Sequence, residues 1–411
     1  MAQVLGLRRL QDYFQGTTSL IGASDPVWIL GVCYEGCSSP KGEGPPTLKQ
    51  EVLNAILSDL MSRIWMTYRK GFPAIGNSGI TSDVGWGCTL RSGQMLLAQV
   101  LLHHLVGRQW RRKLEAAFPE EVAQILHWFG DQPSEQRPYS VHNLCAAGHR
   151  HGVRAGNWLG PSGLCNTVEA IVNHVQPGGL RCKVVASSGG GAPVMCAPRI
   201  GAVFQGSEKA AAAGPQSATA AAVGAAAAAA VATAGAGQLA GAQGLLLLVP
   251  LMLGPNGKVN SRYVPQLQEV LQWPQSAGIV GGRPSSSLYF VGHQGESVLF
   301  LDPHEVQEVA AEASDLESYF CSQLRLMPLA NIDPSLAIGF YCRSLGDFQD
   351  LCDKLRRLEE KSGGAPLVSV TDKDEAEPSW PSRTDEVLSD EGMSDCGTPR
   401  DPGQREEWEV L

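Results

Sequence analysis

Two short stretches of this chain hold side chains able to break an acyl bond. In TSDVGWGCTLRSGQMLLAQ, residues 81–99, Cys88 follows a glycine-flanked tryptophan and precedes a long apolar run. If a helix starts just after it, the sulfur lies where unpaired N–H groups and the helix dipole favour an anion. That lowers a thiol from its usual value of about 8.5. Gly85 and Gly87 let the backbone turn tightly and leave room for an approaching chain. Cys88 also brings its own backbone N–H, one donor for the oxyanion of a tetrahedral intermediate. The competing reading is a buried cysteine that only fills space at a helix start.

The second stretch is DPH, residues 302–304. In extended chain, positions i and i+2 share a face, so Asp302 and His304 can stand side by side. A carboxylate accepting from the imidazole fixes its tautomer and steadies the imidazolium. His304 can then serve the Cys88 thiol as general base, or as the cation of an ion pair. A strand ending in a polar turn with a solvated histidine would read the same way. Cys145, His149 and His151, and the pair Cys33 and Cys37, lack the paired spacing that closes a tetrahedral zinc site. Neither a metal nor a cofactor is therefore expected. His103 and His104, at the end of an apolar helix, read as surface or core histidines without a chemical role.

Positioning a thiol against an imidazole this far along the chain is the task of the elements between them. Residues 46–68 and 89–106 have helical apolar content, and LRSGQMLLAQVLLHHLV is apolar on nearly all sides, as a helix buried within a domain would be. Strand-like runs follow at LLLLVPLML (245–253), SSLYFVGHQ (286–294), SVLFLDPHE (297–305) and DPSLAIGFYC (333–342). The middle two predict an antiparallel hairpin turning at residues 294–296. LGDFQDLCDKLRRLEEK (345–361) predicts a charged amphipathic helix. A helix-first segment followed by several antiparallel strands predicts an α+β fold.

A length of 411 residues with a 43% hydrophobic fraction allows a sizeable core. The net charge is −9, but residues 361–411 hold thirteen Asp/Glu against five Lys/Arg, a balance of −8. The body is thus nearly neutral and the tail acidic, with no basic stripe to favour nucleic acid. Residues 1–24 read as a flexible leader and 25–360 as the globular body. An Ala/Gly-rich insertion at about 187–244 interrupts that body, and a Ser/Pro/Asp/Glu-rich segment from 361 onward reads as disordered. Eleven cysteines, without an apolar signal segment at the start, point to mostly free thiols in a reducing, cytoplasmic setting. The longest apolar run is shorter than the roughly 20 residues that span a bilayer.

Taken together, these residues resemble the autophagins, the autophagy-related cysteine endopeptidases of the papain-like superfamily. The resemblance is carried by PVWILG (26–31), WMTYRKGFPAIGNSGITSDVGWGCTLRSGQMLLAQ (65–99), NWLGP (157–161), PQSAGIVGGRPSSSLYFVG (274–292), LFLDPH (299–304) and MPLANIDPSLAIGFYC (327–342). It implies a papain-like α+β body with a small appended subdomain. It assigns Cys88 as nucleophile, His304 as base, Asp302 as the carboxylate orienting it, and the Tyr68 hydroxyl as second oxyanion donor. It places Trp158, Gly160 and Pro161 at the substrate cleft, with Trp158 covering it beside a mobile loop around residues 254–259 (GPNGKV). The implied substrate is the small ubiquitin-like autophagy modifier, in its precursor form and conjugated to phosphatidylethanolamine. Association with membrane surfaces would be transient, through the lipidated substrate.

The chain ends in EEWEVL, where Trp408 and Leu411 stand three apart behind Glu406 and Glu407. This is similar to the aromatic-x-x-aliphatic motif that binds the same modifier by strand addition. Cys396, in the acidic segment SDCGTP, is a candidate for reversible oxidation, although neighbouring carboxylates should raise its pKa and slow that reaction. Two other readings stand beside the leading one. One is a protease for a different ubiquitin-like modifier; the other is a non-catalytic adaptor that binds the modifier through its tail.

Overall fold

Between two helical layers runs one twisted sheet, and the long apolar helix expected after Cys88 lies against it. The computed structural model describes residues 25–35, 37–38, 47–48, 50–113, 116–187, 191–204, 243–255, 257–310, 313–321 and 325–373. In space the sheet runs Arg325–Pro328, Ser297–Leu301, Ser286–Gln294, Ser276–Arg283, Ser335–Cys342, Gly244–Met252, Leu180–Val184. Val27–Ile29 adds to the far end of Ser286–Gln294, and Val32–Tyr34 pairs beyond it. Neighbours are antiparallel except the last pair, Leu180–Val184 with Gly244–Met252. The central strands are buried almost throughout, because both faces of the sheet are covered.

The expected hairpin is present, with Gln294 opposite Ser297 and Gly295 taking a positive φ of 51° in the turn. Its first strand also pairs back through a two-residue turn, Ser286 opposite Arg283. Pro250 falls inside Gly244–Met252 without breaking the sheet. It lies beyond the stretch paired to Leu180–Val184, so no ladder donor is lost there.

The central helix, Cys88–Leu105, packs on strands Ser276–Arg283 and Ser286–Gln294, with helix Pro161–Val175 beside it on the neighbouring strands of the sheet and helix Glu120–Trp128 against it. Surrounded on all sides, it buries every residue from Cys88 to Leu102. Each fully buried leucine along it contributes about 1.5–3 kcal/mol of apolar burial. His104, in its last turn, is held between the Tyr341 hydroxyl at 2.7 Å and the Gly178 carbonyl at 2.9 Å. It is a satisfied core histidine.

The other face of the sheet carries a second core, built on helices Val264–Gln272 and Leu345–Lys361. Within the described residues, the appended part expected is therefore continuous with the body through the shared sheet. The architecture is α+β.

Two boundaries differ from expectation. The insertion does not begin at 187: strand Val194–Cys196 pairs in parallel with Ser369–Thr371, and helix Ala197–Gly201 follows it. Met195 and Ile200 join the second core. Nor does the body stop at 360, since Leu367 and Val368 are 1% and 2% exposed. Each segment looks too poor to build a core by itself, but each supplies the strand that the other lacks. The leader 1–24, residues 205–242 and everything beyond 373, including Cys396, Trp408 and Leu411, lie outside the described residues.

Candidate active site

Cys88 is the first residue of the central helix and is 2% exposed. The helix starts there because the preceding chain folds into a tight turn whose glycines end at Gly87. Gly85 takes φ +84°, a conformation that L side chains rarely adopt. The amides of Trp86 and Gly87 both donate to the Asp83 carbonyl, at 3.2 and 2.9 Å. A Cβ on Gly87 would meet the Asp83 side chain at 2.4 Å, so only glycine fits. The first intrahelical bond runs from the Arg91 amide to the Gly87 carbonyl. The Cys88 amide thus precedes the helical ladder and is available as a donor.

The DPH segment reaches the same place by a different local geometry from the one expected. The strand ends at Leu301 and residues 303–304 form a turn, so the pair does not meet by strand alternation. Instead, Asp302 Oδ1 accepts from the His304 backbone amide at 3.0 Å and lies 2.6 Å from His304 Nδ1. The aspartate closes a turn on its own backbone and grips the ring with the same oxygen. Asp302 Oδ2 accepts from Arg325 Nη1 at 2.5 Å, and its carbonyl accepts from the Trp65 indole at 2.7 Å.

Tyr68 comes in on the strand Tyr68–Lys70, which pairs in parallel with Val306–Glu308, immediately after the histidine. Its amide donates to the Pro303 carbonyl at 2.9 Å, and its ring meets the His304 ring edge-on, centroids 5.4 Å apart. The Cys88 sulfur interacts with the His304 imidazole, the Ser287 backbone N–H and the Tyr68 hydroxyl. Burial alone would raise the thiol, but these three donors outweigh it and hold Cys88 below the ordinary thiol value. Burial likewise works to lower His304; hydrogen bonds to Asp302 and Cys88, with their charges, push it up to about 9. Asp302 is kept below the usual carboxylate range despite burial, by the two His304 bonds and the His304 and Arg325 charges. Burial, then the neighbouring sulfur, drives Tyr68 well above the ordinary phenol value, so its hydroxyl keeps its proton. These shifts act together in favour of a thiolate paired with an imidazolium, beside a phenol that keeps its proton.

A buried ion network braces this arrangement. Asp83 accepts from the Arg69 amide with Oδ1 and from Arg91 Nε with Oδ2, both at 2.6 Å. Arg91 also grips Asp131 with Nη1 and Nη2, at 3.1 and 2.9 Å. Asp83 therefore ties the strand of Tyr68 to the helix of Cys88. Sequence reasoning passed over Asp83, though it stands in the quoted TSDVGWGC. Arg325 and the Ser287 amide had no local signal at all.

Trp158 is 57% exposed, its six-membered ring lying over Gly160: a Cβ there would sit 3.8 Å away. Gly160 caps helix Pro161–Val175, with Pro161 at its first turn, where a missing N–H costs nothing. The turn that reaches the thiol is the Pro284–Ser285 connection. It delivers the Ser287 amide to the sulfur and the Ser286 hydroxyl to within 3.3 Å of His304 Nε2. Gly257 lies beside that turn, where a Cβ would be 4.0 Å from Pro284. Among the described residues, no cluster of His, Cys, Asp and Glu is fit to hold a metal ion.

Comparison with known proteins agrees with this chemistry. The family model described as the peptidase C54 catalytic domain matches residues 53–354. Cysteine protease ATG4B of Oryza sativa subsp. japonica is 39% identical, over 97% of this chain and 81% of the relative. Cysteine protease ATG4b of Arabidopsis thaliana is 38% identical, covering 89% and 74%. Cysteine protease ATG4B of Xenopus laevis is 34% identical, covering 88% and 87%. With matches of this extent, the chain belongs to the peptidase C54 family, that of the ATG4 cysteine proteases, and is a papain-like cysteine-type peptidase.

Proposed function

We propose that this peptidase cleaves after the C-terminal glycine of the ubiquitin-like autophagy modifier, trimming its precursor and later releasing the same glycine from phosphatidylethanolamine. The observation that supports the chemistry best is the convergence of His304, Tyr68 and the Ser287 amide on the Cys88 sulfur. The substrate reading rests on the family and on the long motifs around Trp158 and residues 274–292.

In this reading the Cys88 thiolate attacks the glycine carbonyl. The developing oxyanion is held by the Tyr68 hydroxyl and the Cys88 amide, two fixed donors in a site shielded from water. His304 gives its proton to the departing amine, of either a peptide or the lipid headgroup, and a thioester forms at Cys88. The neutral imidazole then takes a proton from water, which attacks the thioester and frees the glycine carboxylate. Asp302 holds the ring throughout and compensates its charge. The indole of Trp158, lying over Gly160, leaves a slot suited to a residue without a side chain.

The modifier's body docks outside the cleft, and EEWEVL gives it a second attachment through Trp408 and Leu411, raising the effective concentration of substrate. The peptidase works in the cytoplasm and meets membranes only through its lipidated substrate. No helix among the described residues is long and apolar enough to cross a bilayer. Cys396 is the candidate for redox control.

The test is a gel assay of modifier precursor, and of modifier conjugated to phosphatidylethanolamine in liposomes, with wild type and Cys88→Ser. Wild type should release both extension and lipid, while Cys88→Ser should release neither. Equal cleavage of precursors of other ubiquitin-like modifiers would refute the substrate assignment.

A further inference from the structure

We infer that Arg325 is a positioning residue for the reaction, clamping Asp302 so that His304 keeps its alignment to Cys88; this rests on the catalytic reading of Asp302 and His304. The strand Arg325–Pro328 is an outer strand of the sheet and pairs with Ser297–Leu301, placing Arg325 opposite Phe300. From there its guanidinium spans the mouth of the DPH turn. Nη1 holds Asp302 Oδ2 at 2.5 Å, while Nη2 holds Glu305 Oε1 at 3.0 Å. His304 uses only Oδ1 of the same carboxylate. A carboxylate held at one oxygen can rotate about its own Cβ–Cγ bond; held at both, it cannot. The division of labour is therefore one oxygen for the ring and one for the arginine, and the planar fork of Arg325 suits that task better than a point charge.

Arg325 touches neither the sulfur nor the imidazole in these bonds, so its influence passes through Asp302. It also sets the charge of the cluster. Among the described residues, the charged and titratable groups around the Asp302 carboxylate are His304 and Arg325, with Cys88, Tyr68, Glu305 and the buried Cys321 thiol beyond them. Removing the arginine deletes one positive charge, which makes every proton in the cluster harder to remove. Both limbs of the activity profile should then move to higher pH.

The experiment measures kcat, KM and pH profiles on modifier precursor for wild type, Arg325→Met, Arg325→Lys, Glu305→Gln and Asp302→Asn. Arg325→Met should lower kcat by about 10- to 100-fold, the scale of a misaligned reacting group, with KM little changed. Its acid and basic limbs should both shift upward. Arg325→Lys should keep the wild-type limbs and recover part of kcat. Glu305→Gln, which frees one arm of the fork, should lower kcat less than Arg325→Met. A purely structural role would lower the melting temperature of both arginine variants without moving the limbs, and would overturn the inference. So would Arg325→Met with wild-type kcat, or equal kcat and equal limbs for Met and Lys. If Arg325→Met does not fold, Glu305→Gln decides, and wild-type kcat there overturns the inference. Wild-type turnover by Asp302→Asn would instead remove the catalytic reading beneath it.

Discussion

The backbone amide of Tyr68 donates to the carbonyl of Pro303 at 2.9 Å. This bond fastens the strand carrying a phenol to the turn carrying an imidazole, two segments far apart in the chain. The parallel pairing of Tyr68 with Val306 extends the same seam. The Tyr68 phenol and the His304 imidazole are thus set by one local interface, with Asp83 tying that interface to the helix that begins at Cys88.

Tyr68→Phe removes only the hydroxyl from this frame. Loss of one oxyanion donor should reduce kcat by about 10²–10³-fold, leaving KM for precursor nearly unchanged. Stopped-flow or gel kinetics on precursor checks this. Wild-type kcat in the variant would mean that the hydroxyl serves packing alone.

The ionisation of the site predicts a broad activity optimum. Activity should rise on the acid side through a Cys88 value below the ordinary thiol, and fall on the basic side as His304 loses its proton near pH 9. A basic limb near the free histidine value of about 6.5 would contradict the ion pair. The same shift bears on stability. Because the folded value of His304 lies above the unfolded 6.5, its contribution is fully present below pH 6.5 and is lost as pH rises through about 9. Thermal melts of wild type and His304→Ala across that range should converge at the basic end.

Gly87→Ala should damage both stability and turnover. Its Cβ would sit 2.4 Å from Asp83 Oδ2 and 2.7 Å from Asp83 Cβ, against a buried carboxylate already held by Arg91. Overpacking of this kind costs about 1–3 kcal/mol, readable by chemical denaturation. The displaced helix start should also lower kcat by about 100-fold. An unperturbed variant would show that the turn before Cys88 has slack.

Trp408→Ala combined with Leu411→Ala should weaken modifier binding while sparing turnover of a short glycine-ended peptide. In this reading the two side chains bind the modifier's body and not the bond being cut, so kcat on the short substrate reports only the cleft. Calorimetry with intact modifier measures the loss; unchanged affinity would discard the tail as an attachment.

Much of the site could be read from the chain because its parts are local. The helix begins at Cys88 because a glycine-rich tight turn gives way there to residues without glycine or proline until Gly93, leading into the apolar stretch from Met95. Asp302 and His304 meet because only Pro303 separates them, although an aspartate-closed turn brings them together and not an extended strand. The hairpin of residues 286–301 follows from two short apolar runs on either side of Gly295. What only the tertiary structure decided is everything that depends on a partner far along the chain. No local pattern marks Arg325 as the residue that meets Asp302, or the Ser287 amide as the one that meets the sulfur. Nor does any mark Val194–Cys196 and Ser369–Thr371 as strands, for three residues carry no readable period. Local propensity is written in neighbouring residues, whereas hydrogen-bond partners across a sheet are chosen by the packing of the whole core.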